Sequence, residues 1–301
     1  MTDRDLIGYG GRPPHPEWPG GAKLALSLVV NYEEGAELGF EQGDPVNEKI
    51  GEASSPVPDG LRDRGIEQMF NYGLRAGLWR VLDVLARHGR LATFFMCARA
   101  VERTPHLAAA VVAAGHEPAC HGWRWTNHVS LADRAAERVL LDRCVSVIRD
   151  ATGERPRGFY CRWAQGPHTR ALLQEEEGFL YDSNAYDDDL PYWDRTLPGG
   201  PMLVLPYALD ANDMKFFHPN GWATPQAFLD YLRCAVDQLV REGTGGIPKM
   251  LSVGLHLRII GRPARLWALD RFLEHVAGYA DAIWVARRLD IARHWIGRFP
   301  P

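Results

Sequence analysis

The chain contains no run of about 18 apolar residues, the length a membrane-crossing helix requires, so no membrane association is expected. Its opening, Met1-Thr2-Asp3-Arg4-Asp5-Leu6-Ile7, has no apolar core of the kind a secretory leader needs, and a cytoplasmic location is the expectation. Cysteine is scarce: the five residues Cys97, Cys120, Cys144, Cys161 and Cys234 are odd in number and show no C-x-x-C spacing. That pattern argues against a disulfide framework and against a zinc ribbon. A basic excess is missing too. Lys and Arg total 34 against 38 Asp and Glu, a net charge of −4, which excludes the clustered positive footprint of a nucleic-acid partner. There is no internal repeat, no low-complexity tract, and no G-x-G-x-x-G after the first apolar run, which counts against an open dinucleotide-binding sheet.

What is present is an ordinary globular composition, 46% hydrophobic and 24% charged over 301 residues. A chain of this size can bury roughly three quarters of its unfolded surface and needs no disulfide or metal staple. It reads as one domain, 1–301, with an N-terminal extension (1–22) and a long loop (35–64) marked by Gly43-Asp44-Pro45 and Ser54-Ser55-Pro56. Loops of that length inside a domain are usually functional or disordered. Elsewhere short apolar runs rich in β-branched and aromatic residues read as strands: Leu24–Tyr32, Leu91–Met96, Glu117–His121, Gly158–Arg162, Phe179–Asn184, Met202–Tyr207 and Met250–His256.

Helical patterns separate them. Tyr72–Arg87 places Leu74, Leu78, Trp79, Val81, Leu82 and Leu85 at spacings that fit one face. Thr104-Pro105 and Thr224-Pro225 each set a cap residue before a first-turn proline. Ser130–Asp133 resembles a capping box before a helix reaching about Ala151, and Pro263–Val276 and Leu289–Ile296 complete the set. Strands alternating with helices imply parallel crossovers, and seven or eight such units favour an α/β fold of the distorted parallel (β/α) barrel type.

Parallel barrels carry their sites at the C-terminal ends of the strands. The residues at and just beyond the ends of these runs include Glu33 and Glu34, then His121, Trp123 and Trp125, then Arg162, Asp187, Asn212 and Asp213, and finally His256 with Arg258. Singly, each has a bland explanation. Paired glutamates are often solvated loop charges, His121 could be a hydrogen-bonded core residue, the two tryptophans could be plain core, and Asp187 could belong to a solvated turn. His256, between Leu255 and Leu257, must have a partner, because an unpaired polar ring is costly to bury. Converging on one rim, the set reads as an acid–base site.

Arg4–Gly10, His15–Gly21, Asn31-Tyr32-Glu33-Glu34-Gly35, His121-Gly122-Trp123-Arg124-Trp125, Tyr186–Trp193, Asp210–Met214, Leu255-His256 and Arg288–Trp295 together resemble the polysaccharide deacetylase superfamily, and within it the metal-independent, allantoinase-like branch. The match runs from Arg4 to Trp295. In the deacetylases an Asp-Asp pair supplies a base and a metal ligand, and a His-x-x-x-His element supplies two further ligands. Here Glu33-Glu34 stand at the first element, and Trp125 stands four positions after His121 where the second imidazole would be. A zinc site needs three protein ligands of correct geometry, so the resemblance implies no cofactor. The alternative is a zinc-dependent N-deacetylase of an amino sugar or small acetamide, holding its ion with Glu34, His121 and His128.

On the first reading the chain hydrolyses a C–N bond in a cyclic amide such as allantoin, a hydantoin or a cyclic imide. Glu33 or Glu34 is the base, His256 the acid, and His121 orients water or substrate. Arg162 and Asn212 orient a carbonyl, and Trp123, Trp125, Asp187 and Asp213 contribute to substrate binding. Thr126-Asn127-His128 and Tyr160–His168 depart from the branch on this rim, which leaves the substrate within the class open. A binding protein that keeps the pocket without turnover is a third reading. The partner expected is a small molecule, and the resemblance implies a homo-oligomer.

Overall fold

The computed structural model describes residues 4–301; Met1, Thr2 and Asp3 of the expected N-terminal extension lie outside the described residues. Its strands are β1 (Leu24–Tyr32), β2 (Thr93–Met96), β3 (Glu117–Cys120), β4 (Gly158–Phe159), β5 (Tyr181–Asp182), β6 (Tyr192–Asp194), β7 (Met202–Val204), β8 (Lys249–His256) and β9 (Ile283–Val285). They join one sheet in the order β6-β7-β5-β4-β3-β2-β1-β8, with β9 also paired to β1. Every pairing is parallel except β6 with β7.

β1 explains the curl of this sheet. Its residues alternate between two apolar surfaces, as a period of two requires. Leu24, Leu26, Leu28, Val30 and Tyr32 pack outward among the helices. Ala25 and Val29 point inward with Phe95, Ala119, Tyr160, Tyr181, Leu203 and Tyr207. A strand buried on both faces is the mark of a parallel sheet covered by helices, and the sheet closes into a distorted (β/α) barrel.

The distortion lies between β7 and β8, where no ladder forms. Met250 N donates to Asp189 O (2.9 Å), Gly254 N to Ala211 O (3.0 Å), and Ala208 N to the Ser252 hydroxyl (2.8 Å). A single bridge, Asn212 with Gly254, completes the closure. At the opposite end from the rim Arg288 plugs the barrel, donating to Ser183 Oγ and to the carbonyls of Leu205 and Pro206. Glu117 there binds the hydroxyls of Thr93 and Tyr181.

The helix expected over Tyr72–Arg87 starts earlier, at Arg64, where Asp63 caps it by accepting from Gly65 N and Ile66 N. It passes through a π-turn at Gly73–Gly77 before continuing over Leu78–Arg87. Two glycines of this turn press against other parts of the chain: a Cβ on Gly77 would collide with Leu257 O, and one on Gly73 with the Glu34 carboxylate. Gly73→Ala should therefore cost about 1–3 kcal/mol of stability through overpacking, read as a lower denaturation midpoint with the m-value unchanged.

Asp133, and not Ser130, caps the helix Arg134–Thr152, and Thr224 caps Pro225–Thr244 as expected. Thr104 does not cap Pro105–Ala113; its hydroxyl bonds Ala100 O and the Tyr32 hydroxyl instead. Two strands escape the sequence patterns, β6 and β9. Four cysteines are buried and only Cys234 is exposed. No helix among the described residues is long and apolar enough to cross a membrane.

Candidate active site

Register brings the site together. Tyr32 pairs with Met96, Met96 with Cys120, and Asn31 with His256. The ends of β1, β2, β3 and β8 are thus level, and the residues just beyond them share one rim. Asn31 and Glu33, two apart, lie on the same inward face. They line a cavity of about 750 Å³ with His121, Trp125, Tyr160, Arg162, Tyr207, Asn212, Lys215 and His256.

At its floor Glu33 is fully buried. Its Oε1 lies 3.1 Å from His121 Nε2 and 3.4 Å from His256 Nε2, and its Oε2 accepts from Arg258 Nη1 at 2.6 Å. Burial pushes this carboxyl up, but the positive charges of His256 and Arg258, with the His121 bond, outweigh it and hold the group well below the usual carboxylate range. Glu33 is an anion at neutral pH.

The two imidazoles are oriented from behind. His121 Nδ1 donates to Tyr160 O at 2.8 Å, because a carbonyl can only accept; Nε2 is thereby aimed at Glu33. His256 Nδ1 meets Asp213 Oδ1 at 2.6 Å while its backbone N–H donates to Asp213 Oδ2 at 2.8 Å. Burial would strip the proton from His256, yet Glu33 and Asp213 push it up to about 9, so the ring is an imidazolium at neutrality.

Glu34 plays another part. Its Oε2 accepts from Glu33 N (3.1 Å) and its Oε1 from Arg258 N (3.0 Å), which ties the end of β1 to the end of β8. Burial raises it to about 7, against the pull of Arg258. Between Glu33 and Glu34, the one that lines the cavity is Glu33.

The other expected residues divide. Trp125 lines the cavity with the guanidiniums of Arg162 and Arg258 over its ring, at 3.8 and 4.6 Å. Arg162 also lines it but is held by Glu48 Oε2 at 2.6 Å, so the long loop fixes this arginine. Asn212 lines the cavity too, with Oδ1 accepting from Met214 N and one N–H of Nδ2 donating to the Tyr207 hydroxyl. Asp213 sits behind His256 and does not reach the cavity. Trp123 lies outside, under the Arg143 guanidinium beside a separate cavity of about 210 Å³. Asp187 faces away as well, accepting from Tyr192 and lining a groove against the N-terminal segment.

The zinc alternative does not fit this donor set. His128 lines the separate cavity beyond Gly122, Glu34 is spent on two backbone N–H groups, and His121 faces Glu33. The three do not converge. Among the described residues no group of three or more His, Cys, Asp or Glu could hold an ion.

Arg258, Tyr160, Tyr207 and Glu48 are the parts that spacing did not assign. Arg258 and Tyr207 had a signal, their places beside His256 and at the end of the run Met202–Tyr207; Tyr160 and Glu48 had none, since only tertiary packing brings them in.

The polysaccharide deacetylase family model matches residues 59–181. A putative polysaccharide deacetylase of Schizosaccharomyces pombe is 36% identical, covering 99% of this chain and 98% of its own length. The crystal structure of a probable polysaccharide deacetylase from Pseudomonas aeruginosa PAO1 superposes with a TM-score of 0.93 at 47% identity, covering 99% of each chain. That of Puue allantoinase gives 0.94 at 46%, covering 100% of this chain and 99% of its own. The chain belongs to the polysaccharide deacetylase family, on its allantoinase-like branch, and is a hydrolase of carbon–nitrogen bonds other than peptide bonds.

Proposed function

We propose that the protein opens a cyclic amide, in the class of allantoin, hydantoins and cyclic imides, by acid–base catalysis without a metal. The observation that carries this is a buried glutamate anion flanked by two oriented imidazoles, with Arg258 donating to its second oxygen. The names its relatives carry, polysaccharide deacetylase and allantoinase, have amide hydrolysis in common.

Glu33 Oε1, aimed at the cavity, takes a proton from water as the water oxygen bonds to the carbonyl carbon and the C=O electron pair moves onto oxygen. When the tetrahedral centre collapses, the C–N bond breaks with its electron pair going to nitrogen, and His256 Nε2–H delivers a proton there. The ring opens to a carboxylate and a freed N–H. His121, its Nδ1–H fixed by Tyr160, presents Nε2 to hold the water against Glu33. Asp213 keeps His256 charged and oriented. Glu33 and His256 regain their starting forms by exchange with solvent.

A turnover panel of allantoin, hydantoin, succinimide and N-acetylhexosamines, each with and without a strong chelator, tests the reading. Ring opening of at least one cyclic amide at a rate unchanged by chelation is expected. Activity that chelation abolishes and zinc restores, or turnover confined to the N-acetylhexosamines, would overturn it.

A further inference from the structure

Tyr207 follows β7 and lines the cavity, its ring stacked on Tyr160 with centroids 4.6 Å apart and planes 6° from parallel. Tyr160 in turn stacks on His121 at 5.2 Å. The phenol oxygen stands between two carboxamides. Asn31 Nδ2 lies 3.3 Å from it and Asn212 Nδ2 3.1 Å.

Other bonds fix which way each amide faces. Asn31 Nδ2 also donates to Leu255 O (3.2 Å), which can only accept, and Asn212 Oδ1 accepts from Met214 N (2.8 Å). Both neighbours of the phenol oxygen are therefore donors. A phenol has one proton and two acceptor positions; here the acceptor positions are filled, and the proton has no acceptor among the described residues. Gly254 leaves room for this cluster, since a Cβ there would collide with the Tyr207 hydroxyl and Asn212 Nδ2.

We infer that the Tyr207 hydroxyl is the donor that receives the substrate's carbonyl oxygen and stabilises the oxyanion of the tetrahedral intermediate. The inference rests on the amide hydrolysis proposed above. Tyr207 lines the same cavity as Glu33 and His256. Two amide donors drawing on the phenol oxygen strengthen the hydrogen bond its proton gives. Burial, with the nearby charges of Asp213 and Glu33, holds the phenol above its ordinary value, so the proton stays in place across the working range. The preorganised donor needs no rearrangement as negative charge develops, the condition under which one such hydrogen bond matters most.

Wild-type turnover on the amide panel comes first. If only N-acetylhexosamines are cleaved, the cyclic-amide reading falls, and the role of Tyr207 is decided on the sugar instead. On the amide that is cleaved, Tyr207→Phe should lower kcat by about 10²–10³-fold while KM moves only a few-fold. Because that change also deprives Asn31 and Asn212 of an acceptor, a second replacement keeps the oxygen: 3,5-difluorotyrosine in place of Tyr207, which ionises more readily. It retains the donor oxygen and the two amide contacts, so it should recover most of the kcat that Tyr207→Phe loses. Near-normal kcat in Tyr207→Phe, or a difluorotyrosine variant as impaired as Tyr207→Phe, would overturn the inference even if the amide chemistry stands.

Discussion

Glu33→Gln lowers kcat by about 10²–10⁴-fold, the range associated with loss of a general base, while leaving the fold intact. The substitution keeps the side chain's shape and its place among His121, His256 and Arg258, but removes the charge to which all three respond. Glu34→Gln is the control. Its carboxylate is spent on the N–H groups of Glu33 and Arg258, so one of the two must face an amide NH₂ after substitution. Its main effect is a lower melting temperature, with kcat reduced far less. Equal kinetic losses in the two variants, measured under saturating substrate with folding checked by circular dichroism, would show that both carboxylates act chemically.

Asp213→Asn produces the second large effect, and pH reveals it. In the wild type the imidazolium persists to about 9, so a reaction that needs His256 as acid loses rate as pH rises through that value. Removing the Asp213 charge takes away one of the two anions that raise His256. The alkaline limb then moves toward neutrality, and kcat at neutral pH falls by about 10²-fold or more. An alkaline limb that stays in place would assign the titrating acid elsewhere.

Stability obeys the same linkage. Free histidine titrates near 6.5; folding raises His256 to about 9. The stabilisation from its pairs is therefore complete below about 6.5 and is lost as pH climbs through 9. For Glu33 the sign reverses. Its value is held low in the fold, so its contribution is complete above the ordinary carboxylate range and disappears as acid protonates it.

How far the sequence reveals this site depends on what each residue relies upon. Glu33, His121 and His256 stand at or directly after the ends of strongly apolar strands, so a strand-end rule finds them. Trp125 in place of an imidazole is equally plain. Trp123, two residues earlier on the same turn, is carried to the far side by the Gly122 turn at φ 71°, a backbone detail no spacing encodes. Asp187 lies in a run of three aspartates with the composition of a site, yet Asp188 Oδ1 caps a turn by accepting from Leu190 N (3.0 Å), and the run serves the approach to β6. Asp213 shows the reverse: its position on the rim points to substrate, and the short helix Asp213–Phe217 folds it under His256. For the fold, the long parallel core is legible because both faces of β1 are apolar. The π-turn is not; it packs Gly77 against Leu257, far apart in the chain.

The weakly bonded gap between β7 and β8 gives the barrel a grain. One bank of that gap carries His256, and the other carries Asn212 and Asp213. Proton donor and counter-ion thus belong to different edges, joined by a handful of bonds. A parting there would draw the imidazole away from the carboxylate that keeps it charged, so the reactive state of the enzyme is also a report that its wall is shut.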